Sequence, residues 1–135
     1  NHRFILHYQP IYDIAKETIS HHEALVRMLD DDGQTVAPIN FIPIAEQTGY
    51  IVDIDRFVVT QAMSDLRSLS QEDPDVHIAV NLCSKTLANS EFIELLKELC
   101  CDDKNISSRV IFELTETAAV DDVQITKIVE NIEIG

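Results

Sequence analysis

Hydrophobic and polar positions alternate at the start of the chain in the manner of paired β-strands. Residues 4–14 and 18–28 are rich in β-branched, aromatic and other apolar side chains, and the turn-like residues 15–17 separate them. Two such runs joined by a short loop predict a β-hairpin. Because side chains alternate between the two faces of a strand, we expect Glu23 and Arg27 to point the same way.

The spacing of apolar residues becomes helical further along the chain. Residues 30–33 form a polar turn, and Asn40 is a candidate N-cap for a short helix through Ala45 that Gly49 ends. In residues 53–69 the apolar side chains recur every three or four positions. This period predicts an amphipathic helix.

The remaining segments alternate between strand and helix. Residues 76–82 and 110–114 are short apolar runs of strand length, whereas residues 92–99 have helical spacing with Ser90 as a candidate cap. A last helical pattern covers residues 125–132. A hairpin followed by alternating helices and strands favours an α/β fold with a parallel sheet and an antiparallel first strand.

The composition is that of an ordinary globular domain, with 45% hydrophobic and 25% charged residues in 135 positions. No apolar run approaches the roughly 18 residues of a membrane-spanning helix, and the first eight residues lack the features of a secretory signal. Cys83, Cys100 and Cys101 offer neither a disulfide framework nor a zinc-binding spacing. We therefore expect a cytoplasmic protein that does not insert into membranes.

The charge is strongly acidic, because 24 Asp and Glu against 10 Lys and Arg give a net charge of −14. Such a chain is not expected to bind nucleic acid polymers, which require clustered Lys and Arg. Solubility is the simplest reason for the surplus carboxylates. Some of them can still serve a small anionic ligand if they hold divalent cations that reverse the local charge.

Three polar residues lie at or near the carboxyl ends of successive predicted strands: Glu23, Asn81 and Glu113. In α/β folds, functional sites form where the carboxyl ends of neighbouring strands converge. Carboxylate and amide oxygens are hard ligands that suit Mg²⁺ or Mn²⁺. The alternative is that these side chains only satisfy nearby backbone groups, and the spacing alone leaves both interpretations open.

Five short segments of the chain form a recognisable set: residues 8–11 (YQPI), 23–27 (EALVR), 41–49 (FIPIAEQTG), 80–83 (VNLC) and 113–116 (ELTE). Together they resemble one known family, the EAL domain of cyclic di-GMP phosphodiesterases. They occur in the family's order and cover nearly the whole chain.

The resemblance implies that residues 1–135 are the N-terminal half of a TIM-like (β/α) barrel with an antiparallel first strand. It further implies a bacterial signalling enzyme that hydrolyses cyclic di-GMP to linear pGpG with two Mg²⁺ or Mn²⁺ ions, and a homodimer of the complete domain. On the family's motifs, Glu23, Asn81 and Glu113 match metal ligands, Gln9 and Arg27 match substrate-binding residues, and Glu116 matches a glutamate that anchors an active-site loop.

Two departures from the family pattern change this expectation. Cys83 stands where the family usually has serine, which removes no ligand. The length matters more, since a TIM barrel takes about 250 residues, and the family's paired aspartates are not in this sequence. We therefore expect the complete domain to be the enzyme and this chain alone to be inactive. A non-catalytic receptor for cyclic di-GMP and an interaction module are the alternatives, and Arg27 could instead pair with a surface carboxylate.

Overall fold

The structure, a computed structural model, describes residues 3–115. The predicted helix at 125–132 and Glu116 lie outside the described residues. The strands are β1 (Arg3–Asp13), β2 (Thr18–Leu29), β3 (Thr35–Val36), β4 (Ile78–Cys83) and β5 (Val110–Thr115), and the helices are α1 (Ile42–Thr48), α2 (Ile51–Ser70), α3 (Ser90–Asp102) and α4 (Lys104–Ser107).

The strands form one sheet in the order β1-β2-β4-β5. β1 and β2 pair along their length as the predicted antiparallel hairpin, and β4 and β5 are parallel over six residues each. The parallel pairing of β2 with β4 is short, because it covers only His22 to Ala24 of β2, after which β2 pairs with β3 instead. Within residues 3–115 the sheet is open, and the predicted α/β class with an antiparallel first strand is confirmed.

One face of the sheet is covered by α2 and α3. Side chains of α2 recur at helical spacing on the face that packs against the sheet, and Ile54, Met63 and Leu66 are almost completely buried. Phe92 of α3 is fully buried beside them. Burial of each such side chain contributes about 1.5–3 kcal/mol, so this helix layer stabilises the positions of the strands beneath it.

The two faces of the sheet differ in what they carry. Every second strand residue packs into or against the helix-covered core: Phe4, Leu6, Tyr8, Ala24, Val26, Met28, Ile78, Val80, Leu82, Val110, Phe112 and Leu114. The residues between them point to the opposite face, where Ile111 is 38% exposed. We call this second surface the open face. It carries the candidate site.

The ends of the helices correct two predictions. Gly49, with φ of +82°, ends α1 as predicted, since the left-handed conformation favours glycine. Asn40 is not the N-cap of α1, because it lies in a 3₁₀ turn and Phe41 precedes the helix without a side-chain cap. The cap of α3 is Asn89 rather than Ser90, and Asn89 Oδ1 accepts a hydrogen bond from Phe92 N at 2.9 Å.

No helix among the described residues is long and apolar enough to cross a membrane. Of the three cysteines, Cys83 and Cys100 are buried and Cys101 is exposed.

Asn89→Ala should destabilise the protein by about 1 kcal/mol, because it leaves an amide of the first turn of α3 without its acceptor. Ser90→Ala is the matched control and should change the free energy of unfolding little. Urea denaturation of both variants measures the difference. Equal losses would contradict the assignment of Asn89 as the cap.

Candidate metal and substrate site

Glu23 and Asn81 meet where β2 and β4 run side by side. The register aligns Glu23 with Ala79, so Asn81, two residues further on, lies on the same face of the sheet. Asn81 Nδ2 donates a hydrogen bond to Glu23 Oε1 at 3.0 Å. Both side chains are half-buried. Two residues that are 58 positions apart in sequence thus form one polar pair on the open face.

Gln9 and Glu113 extend this pair across the sheet. Gln9 lies directly opposite Glu23 in the hairpin, and Glu113 is aligned with Asn81 on the neighbouring strand. Adjacent strands are about 4.8 Å apart, so Glu113 is one strand spacing from Asn81. Gln9 and Glu113 are exposed. The structure therefore places four sequence-predicted site residues in a row across four strands of the open face.

Arg27 lies four residues beyond Glu23, where β2 has left β4. The two strands diverge after Ala24, and the gap between them is a cavity of about 320 Å³ that Arg27, Glu46, Asp55 and Asn81 help to line. Arg27 Nη1 donates to Val26 O at 2.8 Å, and the side chain is half-buried. The salt bridges found within residues 3–115 join Arg67 to Asp103 and Lys97 to Glu94, and Arg27 is in neither.

Asp55 is the residue of this region that sequence reasoning missed. It is 4% exposed, and its Oδ2 accepts hydrogen bonds from Thr86 Oγ1 at 2.6 Å and from Cys83 N at 3.0 Å. Burial raises the pKa of Asp55 to about 6, a rise that these two hydrogen bonds limit and the charge of Glu46 increases. The signal in the sequence was an acidic residue on the apolar face of α2, one turn before Val58 and Val59.

The donor set of the site fits a hard divalent cation only in part. Glu23 offers carboxylate oxygens, Asn81 an amide oxygen, and Glu113 a second carboxylate on the next strand. Residues 3–115 contain no group of three or more His, Cys, Asp and Glu side chains close enough to hold a metal ion. A complete metal site would therefore need further ligands in addition to these three.

The chain is similar to several known proteins. A family model described as EAL domain matches residues 1–134. The signaling protein YkoW of Bacillus subtilis is 31% identical over 94% of this chain, and the probable cyclic di-GMP phosphodiesterase PdeB of Escherichia coli is 31% identical over 90%. The chain spans only 16% and 23% of the lengths of these two relatives.

A solved structure of the PaMucR phosphodiesterase in complex with c-di-GMP has a similar fold. The TM-score is 0.79 at 29% sequence identity, and the likeness covers 97% of this chain and 55% of the other. An EAL domain protein from Listeria monocytogenes has the same fold, with a TM-score of 0.80 at 21% identity. The open sheet is thus part of a TIM-barrel-like architecture, as predicted.

The raised pKa of Asp55 predicts a pH-dependent stability. A carboxyl group with a higher pKa in the folded state, about 6, than in the unfolded state, 3.8, favours folding most below pH 3.8. This contribution is lost as pH rises through about 6. Asp55→Asn should remove it, so the difference in free energy of unfolding between parent and variant should change between about pH 4 and 6. Denaturation curves across this range measure it, and a pH-independent difference would contradict the assignment.

Proposed function

We propose, on the premise that the chain belongs to the EAL domain family, that it forms part of a domain that hydrolyses cyclic di-GMP to linear pGpG. The relative PdeB carries the name of a probable cyclic di-GMP phosphodiesterase, and the PaMucR phosphodiesterase binds c-di-GMP. The observation that carries the proposal is the contact of Asn81 with Glu23, because it brings two hard ligands together where the parallel pairing of β2 and β4 ends. Enzymes with α/β folds place their sites where parallel strands end.

In this proposal Glu23, Asn81 and Glu113 hold Mg²⁺ or Mn²⁺. A bound divalent cation supplies Lewis-acid stabilisation of the charge that develops on a phosphodiester during hydrolysis. Glu23 contributes negative charge and Asn81 a neutral amide oxygen, and their hydrogen bond keeps both side chains at the same point of the open face. Glu113, one strand further, faces the same space without being buried.

Arg27 and Gln9 are the proposed substrate-binding residues. The planar guanidinium group of Arg27 suits two oxygens of a phosphate. Within residues 3–115 its hydrogen bond is the one from Nη1 to the neighbouring backbone oxygen of Val26. Gln9 offers an exposed amide opposite Glu23, which can donate to or accept from a polar group of the ligand. Because Arg27 and Asn81 line the same cavity, phosphate recognition and ion binding are adjacent in this proposal.

The net negative charge of the chain is compatible with an anionic ligand if divalent cations bind together with that ligand. A dianionic ligand would be repelled by Glu23 and Glu113 alone, whereas divalent cations held by these carboxylates would reverse the sign of the local field. The roles of Glu116 in anchoring a loop, of the homodimer and of the cytoplasm as location remain predictions.

A receptor function is the rival proposal, and activity measurements separate the two. Binding of cyclic di-GMP by the full-length protein with no linear product would support the receptor, whereas metal-dependent formation of pGpG would support the enzyme.

Glu23→Ala in the full-length protein should lower turnover by more than about 100-fold, because it removes a charged ligand whose ion contributes several kcal/mol in the transition state. Asn81→Ala should cause a smaller loss, since water replaces a neutral amide more easily. Chromatography of pGpG at saturating Mn²⁺ measures both. Glu98→Ala, which removes an exposed carboxylate of α3, is the control for lost charge. Parental activity of Glu23→Ala would refute the site.

The isolated 135-residue chain should neither release pGpG nor bind Mg²⁺ tightly. Glu23, Asn81 and Glu113 provide three ligands at most, and the described part of the chain brings no cluster of three acidic or imidazole side chains together. Ions at such a site stay largely hydrated. Calorimetry with Mg²⁺, alongside the full-length protein as the positive control, tests this. Micromolar affinity of the isolated chain would be the contrary result.

A further inference from the structure

Within residues 3–115, the carboxyl end of β4 is paired with a strand on one side only. The ladder between β2 and β4 ends at Ala24 and Val80, whereas β4 remains paired with β5 up to Cys83. Ile78 N donates towards β5, to Arg109 O. Because successive residues of a strand point their backbone groups to alternate sides, the N–H of Cys83 points towards the side that β2 has left.

A side chain of α2 takes the place of the missing strand. Asp55 Oδ2 accepts the hydrogen bond of Cys83 N at 3.0 Å and that of Thr86 Oγ1 at 2.6 Å. Thr86 is fully buried, and Asp55 is 4% exposed. One carboxylate thereby joins α2 to the last residue of β4 and to the turn that follows it. A buried amide without this acceptor would be costly.

We propose that Asp55 is a positioning residue for the metal site, which holds the end of β4 so that Asn81 faces Glu23. This inference rests on the proposed function of Glu23 and Asn81 as metal ligands.

Asn81 lies two residues before Cys83, beyond the last residue of β4 that pairs with β2. Its amide must nevertheless stay within 3.0 Å of a carboxylate on β2. If the end of β4 were free on that side, rotation or displacement of the strand would separate the two side chains. The hydrogen bond of Asp55 to Cys83 N opposes this movement, because it ties the end of β4 to α2. Helix α2 is itself fixed by its buried apolar face.

The experiment compares two carboxylates of α2 that both tie this helix to the sheet. Asp55→Ala removes the bond to β4, and the control Asp65→Ala removes the hydrogen bond from Tyr8 of β1, on the helix-covered side of the sheet. The measured quantity is the affinity of the full-length protein for Mn²⁺ alone, from the electron paramagnetic resonance signal of the free ion. Mutation of a hydrogen-bond partner of a metal ligand typically lowers metal affinity by about 10- to 100-fold. Because Asp55 acts on Asn81 through the backbone of β4, a loss at the lower end of this range, about 10-fold, is expected for Asp55→Ala and not for Asp65→Ala.

Asp55→Asn keeps a side-chain oxygen for Cys83 N and should restore an affinity close to that of the parent, which a charge effect would not allow. If Asp55→Ala fails to fold, Asp55→Asn still tests the inference. A folded Asp55→Asn protein with lowered Mn²⁺ affinity would overturn it.

The same series separates the two proposals. If Glu23→Ala leaves Mn²⁺ affinity unchanged, the proposed metal site is wrong. If Glu23→Ala weakens binding but Asp55→Ala weakens it no more than Asp65→Ala does, the site stands and the positioning role of Asp55 is refuted.

Discussion

The three-residue parallel pairing of β2 with β4 is the constraint on which the candidate site depends. It aligns Glu23 with Ala79, and the period of two then brings Asn81 to the same face. A slip of one residue would turn Glu23 towards α2, where Ala24 and Val80 now pack in the core, and would bury a carboxylate among apolar side chains. The packing of apolar side chains on the helix-covered face therefore fixes the register of β2 and β4, and this register aligns Glu23 and Asn81 on the open face.

The shortness of this pairing also creates the space beside the polar pair. Because β2 leaves β4 after Ala24 to pair with β3, a cavity opens in which Arg27 and Asn81 are both accessible. A ladder continued to Cys83 would fill that gap with backbone. The structure compensates for the lost strand contacts with a buried carboxylate, Asp55, whose raised pKa reflects the cost of its burial. The early divergence of β2 from β4 therefore accounts both for the cavity and for the buried carboxylate of Asp55.

The sequence predicted the larger elements because each carries a long periodic pattern. The hairpin, α2, β4 and β5 all lie within a few residues of their expected positions. The two-residue β3 and the single turn of α4 are too short to show a period. Asn89 and Ser90 are both good capping residues, and only the extended backbone of Asn89, with ψ of 115°, decides between them.

The site was predictable to the extent that it follows from strand alternation. Strand ends in the sequence placed Glu23, Asn81 and Glu113 on neighbouring strands, but no local pattern states the register that puts Asn81 Nδ2 at 3.0 Å from Glu23. Asp55 was missed for the same reason, because its partners Cys83 and Thr86 are 28 and 31 residues away. A residue whose role is to hold another element in place shows in sequence only as a polar side chain on an apolar helix face, and its meaning emerges when the partner element is known.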